Sequence, residues 1–220
     1  MSEDNVLRIA IVEDQLLFRD LLASRLNSVE GFSVVFTAEN VVEARKEFAQ
    51  HPVDIAVLDI DLPDGNGIGL GVSLRRENPN LQVVLLSSTD MLELMLGLPI
   101  EDRKGWSYLS KSSTTNADIL ISTIRTTARG MTVIDPFLVD RSVARPDTSL
   151  SQLTKRQYEV LRAVARGANN QSIADEMGLS VNSVVNHLTA IYATLEIPEG
   201  ANARVMAVLR FLEETSRATV

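Results

Sequence analysis

The chain contains no cysteine, which excludes a disulfide framework and any thiolate metal site. It also lacks a long apolar run. The most apolar window, residues 91–100, falls well short of the roughly 18 residues that a membrane-spanning helix needs, and Glu93 and Pro99 interrupt it. The opening MSEDNVLR has no basic-then-apolar layout of the kind that marks a signal peptide. Internal repeats and low-complexity tracts are missing as well. These absences leave a cytoplasmic protein as the simplest expectation. With 220 residues, 45% of them apolar, there is material for one large core or two small ones.

Basic charge is scarce and unevenly placed. Residues 1–148 hold 14 Lys+Arg against 22 Asp+Glu, a net of −8, whereas residues 149–220 hold seven of each and are neutral. Two regions of different electrostatics suggest two jobs. The acidic part repels nucleic acid, so any such contact belongs to the C-terminal part.

Short β-branched runs alternate with helical patterns over the first 130 residues. Strands are expected at 7–12, 32–38, 53–58, 82–87 and 106–109. Helices are expected at 15–29 (with Leu17, Leu21, Leu22 and Leu26 on one face), 41–50, 66–77 and 115–129. Strands that are apolar throughout fit a parallel sheet covered on both faces. In such sheets ligands collect beyond the carboxyl ends of the strands. The residues just past those ends are Glu13 and Asp14, Asp59, Ser87 and Ser88, and Lys111.

The stretch VDIAVLDIDLPDGNG runs a buried-looking strand straight into Asp59. Three carboxylates (Glu13, Asp14, Asp59) at one sheet edge repel one another unless a cation lies between them, and a hard, all-oxygen set suits Mg2+. Lys111 adds a compact positive charge for a phosphate, and Ser87 adds a hydroxyl. Together these describe a phosphoryl-transfer site with a carboxylate nucleophile. Asp54, Asp61 and Asp64 read as structural or turn acids, with the backbone carbonyl of Asp61 as a further metal ligand.

The motifs IVEDQ, VLDIDLPDGNG, VVLLSS and YLSK give residues 7–130 a resemblance to the receiver domain of two-component response regulators, whose fold is flavodoxin-like. The resemblance implies that Asp59 accepts a phosphoryl group from a sensor histidine kinase. It further implies that Glu13, Asp14 and Asp59 hold Mg2+, that Ser87 and Lys111 contact the phosphoryl group, and that Tyr108 is a switch aromatic. Read without the family, Tyr108 is equally a strand residue packed on the sheet. The segment MLELMLGLPIEDRKGWSYLSK departs from the family pattern: Pro99 should break or end a helix. Arg103, Lys104 and Trp106 add bulk, and Ser107 stands where Gly is usual.

Residues 131–150 shift to Pro, Asp, Arg and Ser without periodicity and read as a linker with one helical turn near 136–139. From residue 151 the pattern is helical. Thr154 and Gln157 form a capping-box signature, and helices are expected at 170–177, 181–195 and 201–213. LTKRQYEVLRAVARGANNQSIADEMGLSVNSVVNHL resembles the LuxR-type helix-turn-helix of the NarL/FixJ group. The third helix of this part contains no Lys or Arg, although duplex binding draws much of its affinity from cations at phosphates. The resemblance puts Asn182, Ser183, Val185, Asn186, His187 and Thr189 on the DNA-contacting helix. There Asn186 suits adenine and Val185 a thymine methyl, while His187 alternatively reads as a partly buried structural residue. Lys155, Arg156, Arg162, Arg166 and Arg204 are the candidates for phosphate.

The expectation is therefore a non-enzymatic, two-domain response regulator: a five-stranded parallel α/β receiver (1–130), a linker (131–150) and a small all-α DNA-binding domain (151–220). Its partners would be a sensor kinase, promoter DNA and a second copy on activation. One alternative keeps the receiver but gives the neutral tail a protein partner. Another is a Mg2+-dependent phosphatase or transferase on the same sheet.

Overall fold

A computed structural model describes residues 6–88 and 105–217, which divide into two compact units, 1–130 and 131–220. In the first, β1 (Leu7–Val12), β2 (Phe32–Ala38), β3 (Ile55–Asp59), β6 (Gln82–Ser87) and β7 (Trp106–Ser110) form one sheet in the order β2-β1-β3-β6-β7, every neighbour parallel. The short hairpin β4 (Asp61–Leu62) and β5 (Gly65–Asn66) follows β3. Strands and helices alternate: α1 (Leu16–Asn27), α2 (Val41–Phe48), α3 (Gly67–Glu77) and α4 (Ala117–Thr127). Ile9, Ile11, Val57, Val84, Leu86 and Leu109 of the sheet pack with Leu22 and Leu26 of α1 and Leu120 and Ile124 of α4. Central strands covered on both faces require apolar residues at every position, which is why they lack alternation.

The apolar stripe of α1 differs from the expected one. Leu22 and Leu26 are buried, but Leu17 and Leu21 are 85% and 63% exposed and sit with exposed Leu16 on the outer face. Leu22 and Leu26, one turn apart, already fill the space under the helix, so the remaining leucines turn outward.

The departures at Trp106 and Ser107 are absorbed by packing. Trp106 is fully buried, and a Cβ on Gly71 of α3 would lie 2.8 Å from its ring. The Ser107 hydroxyl pairs with that of Thr127 at 2.6 Å, tying β7 to α4 inside the core. Pro99, Arg103 and Lys104 lie outside the described residues.

The second unit contains α5 (Pro136–Asp140), β8 (Ser142–Ala144), α6 (Lys155–Ala165), α7 (Asn170–Met177), α8 (Val181–Thr194), α9 (Ala203–Glu214) and β9 (Thr215–Arg217). The linker reading of 131–150 needs correction, because the segment is folded into this unit. Thr132, Val133, Ile134, Asp135 and Val139 are buried, and the Ile134 N–H donates to the Ala165 carbonyl at 2.9 Å. Val133 packs so closely on Gly167 that a Cβ there would come within 2.8 Å of it. The expected helical turn is α5, capped by the Asp135 side chain. β8 then pairs antiparallel with β9.

The capping box of Thr154 and Gln157 starts α6, and Gly178, in the left-handed region at φ 63°, makes the turn between α7 and α8. Ile173, Val184, Leu188, Ile191 and Leu195 close the small core of the turn, joined by Val160, Leu161 and Val164 of α6 and Val205, Val208 and Leu212 of α9.

Candidate functional site

β3 ends on Asp59, which still pairs with Leu86 of β6 at the carboxyl edge of the sheet. Asp59 and Glu13 are nonetheless almost sealed, 2% and 0% exposed. The hairpin explains the glycine-rich sequence that follows. Asp61 pairs with Asn66 and Leu62 with Gly65 around the Pro63–Asp64 turn. The Asp64 carboxylate accepts from the N–H groups of Val41 and Val42 at 2.7 and 3.0 Å, capping α2 from outside. Gly67 then passes so close to β3 that a Cβ would lie 2.0 Å from the Asp59 carbonyl oxygen. Any other residue there would push the Asp59 backbone aside. Asp54 is structural too: it takes the Arg8 guanidinium at 2.6 and 3.0 Å and the Arg8 N–H at 2.8 Å.

Lys111 reaches into the acidic group from the end of β7. Its Nζ donates to Glu13 Oε1 at 2.8 Å and to Asp59 Oδ2 at 2.9 Å. The Lys111 N–H donates to the Ser87 carbonyl at 2.8 Å, which fixes the two strand ends side by side. Carboxylate oxygens of Glu13, Asp14 and Asp59 lie within 4.8 Å of one another. Glu13 Oε2, although buried, has no hydrogen-bond partner. An orphaned carboxylate oxygen in such a cluster is what a hard divalent cation would satisfy.

The electrostatics bear the mark of that crowding. Burial pushes the Glu13 carboxyl up; the hydrogen bond from Lys111 opposes this and the charge of Asp59 adds to it. Asp59 is likewise raised, first by burial, with Lys111 pulling the other way. Burial alone would lower Lys111, but its hydrogen bonds to Glu13 and Asp59 win and raise it. The cluster thus holds a firmly protonated lysine between two carboxyls that resist ionising.

Asp61 is exposed, and its N–H approaches Asp59 Oδ1 at 3.3 Å. Ser87, the last residue of β6, and Tyr108 of β7 are both fully buried. Sequence reasoning missed two neighbours on α1. The Arg19 guanidinium donates to the Glu13 carbonyl at 2.6 Å, and the Phe18 ring lies 5.2 Å from Lys111 Nζ. Their place on the first turn after the Glu13–Asp14 pair was the available signal.

In the second unit, Asn182, Val185, Asn186 and Thr189 lie on the exposed face of α8, joined by Val181. Ser183 is half-buried and engaged with the Ser180 cap, and His187 is also half-buried. Four of the five basic residues proposed for phosphate are already paired. Arg156 binds Glu159 and the Met177 carbonyl, Arg162 binds Asp140, and Arg166 bridges Asp140 and Glu176. Arg204 binds Asn170 and the Ala168 carbonyl. Lys155 is exposed and has no ion-pair partner among the described residues.

Residues 9–125 match the response regulator receiver domain family, more than half of the chain. The chain is a response regulator. Residues 151–207 match the luxR family of bacterial regulatory proteins, giving it the NarL/FixJ arrangement. The oxygen regulatory protein NreC of Staphylococcus carnosus is 29% identical over 203 residues, 87% of this chain and 92% of NreC. The DNA-binding transcriptional activator DevR/DosR of Mycobacterium tuberculosis is 29% identical over 210 residues, 92% and 94% of the two chains. Among solved structures, two RcsB dimers bound to two parallel DNAs share the fold at TM-score 0.54 and 18% identity, covering 96% of this chain and 99% of that one.

Proposed function

We propose that this response regulator is phosphorylated on Asp59 by a sensor histidine kinase and that phosphorylation controls promoter binding by its C-terminal domain. The observation that carries the reading is the sealed cluster in which Lys111 bonds both Glu13 and Asp59 beside Asp14. An ionised Asp59 oxygen attacks the phosphorus of the donor phosphohistidine, and the P–N bond breaks as the imidazole nitrogen leaves with the electron pair. Lys111 holds Asp59 in position and faces the charge of the transferred group. Glu13, Asp14 and Asp59, with the Asp61 carbonyl, are the residues that would hold Mg2+, which when bound offsets negative charge on the phosphoryl oxygens. Ser87 and Tyr108 would register the new group, and the two-state receiver would pass this on as dimerisation.

The luxR-family match favours promoter DNA over a protein partner for residues 151–220. The same resemblance favours transcription control over steady turnover of a phosphomonoester. The test is labelling by a small phosphodonor with Mg2+, read as a mobility shift on a phosphate-binding gel. Asp59→Asn should abolish labelling with far-UV circular dichroism unchanged; labelling that survives would place the acceptor elsewhere.

A further inference from the structure

We infer that α8 reads adenine-containing half-sites through an uncharged face, and that the second unit binds DNA with a weak dependence on salt. The inference rests on the DNA-binding reading above and adds which bases and which forces are used. Val181, Asn182, Val185, Asn186 and Thr189 form the exposed face, with Val181 and Val185 37% and 43% exposed. Neither asparagine side chain makes a hydrogen bond among the described residues, so both amides are free to pair outward. Thr189 spends its hydroxyl on the Val185 carbonyl at 3.0 Å, which leaves the two amides as the face's free polar groups.

An amide that donates and accepts side by side matches N7 and the exocyclic amine of adenine, and no other base edge in the major groove as well. Asn182 and Asn186 are four residues apart, about 6 Å along the helix, or nearly two steps of roughly 3.4 Å along a strand. They therefore select two adenines flanking one base pair. Val181 and Val185, on the same face, suit thymine methyls.

The ionic part follows from the arginines. Asp140 holds Arg162 and Arg166, Glu176 also holds Arg166, and Glu159 with the Met177 carbonyl holds Arg156. Arg204 is turned to the Ala168 carbonyl and Asn170. Lys155 is the cation left free among those candidates. Each phosphate contact contributes about −0.9 to the slope of log K against log salt. A two-copy complex with one or two contacts per copy gives a slope of about −2 to −4.

The test selects random duplexes with the full chain, phosphorylated by a small phosphodonor, at about 50 and 200 mM salt. The expected site is a pair of half-sites, each with two adenines separated by one base pair. Affinity should fall less than about 250-fold between the two salts, against about 10³-fold or more for a charged interface. Asn186→Ala should weaken binding roughly 10-fold or more on the selected site and lose the preference at one position in each half-site. Val185→Lys adds one phosphate contact per copy and should steepen the salt slope of the two-copy complex by about two. A selected site without those adenines, or a loss on Asn186→Ala that is equal for all sequences, overturns the readout while leaving DNA binding intact. Recovery of no duplex at either salt, from protein that labels on Asp59, overturns the DNA reading itself.

Discussion

The two units treat charge in opposite ways. Residues 1–130 carry 12 Lys+Arg against 19 Asp+Glu and bury two carboxyls, Glu13 and Asp59, against the part-buried Lys111, with one carboxylate oxygen unpartnered. Residues 131–220 carry 9 against 10, and Arg156, Arg162, Arg166 and Arg204 are tied to acids, carbonyls or Asn170 of the same unit. The first unit retains electrostatic tension that an added cation and phosphoryl group can relieve. The second has relieved its own and is left with neutral groups facing outward. On the inference above, a single chain can therefore hold a site poised to respond and a surface that senses ionic strength less than a fully charged one would.

The comparison breaks most visibly if the tension is made worse. Lys111→Met leaves Glu13 and Asp59 without their shared counter-charge, and removing one partner of a buried ion pair costs about 3 kcal/mol or more. Both carboxyls are held above their ordinary range, so the folded unit binds protons there more readily than the unfolded chain. The stability this provides is present at low pH and is lost as pH rises through the elevated values. Metal-free wild type should accordingly lose stability as pH climbs from the ordinary carboxylate range, about 4, towards neutrality. The Lys111→Met deficit should shrink at the acid end. Urea midpoints at two pH values check this, and a deficit independent of pH would count against it.

Relief by metal is the next largest effect. A cation that binds only the folded receiver stabilises it by about 2.7 kcal/mol at a hundred times its dissociation constant. Mg2+ should raise the receiver's melting temperature, EDTA should reverse the rise, and Glu13→Gln should remove it. Ser107→Ala is smaller. It deletes one buried hydroxyl pair while Thr127 keeps its bond to the Thr123 carbonyl, a loss of about 1 kcal/mol measurable by urea titration. Smallest in stability is Asp140→Asn, within about 1 kcal/mol for an exposed ion pair. Yet it removes one acidic partner from each of Arg162 and Arg166, leaving them the residue-140 carbonyl and Glu176, so nonspecific DNA affinity at low salt should rise and the salt slope should steepen.

The two units also differed in how much their sequence disclosed. The strands at 7–12, 32–38 and 82–87 stand at their expected bounds, each built around a short β-branched or apolar run. The strand expected from Val53 begins at Ile55, because Asp54 turns aside to bind Arg8. The residues of the acidic cluster were legible because each follows a strand end. The outward leucines of α1 were not: Leu17, Leu21, Leu22 and Leu26 share a helical spacing, and only the packing against β1 and α4 decides which two are buried. The packing of Thr132–Asp135 was hidden for a related reason. Its partners, Ala165 and Gly167, lie some thirty positions along the chain, and no local period records them. Nor does any local signal show that Asp140 would claim two of the arginines.

The pairing of β8 with β9 gives the chain an order of events during synthesis. All five strands of the receiver sheet have been made once Ser110 is added, so that sheet can assemble while the remainder is still being translated. The second unit has no such freedom. Its opening strand, Ser142–Ala144, finds its partner only at Thr215–Arg217, and Glu214 supplies the acceptor for the Ser149 hydroxyl and the Leu150 N–H. The DNA-binding half closes only after residues 214–217 have left the ribosome.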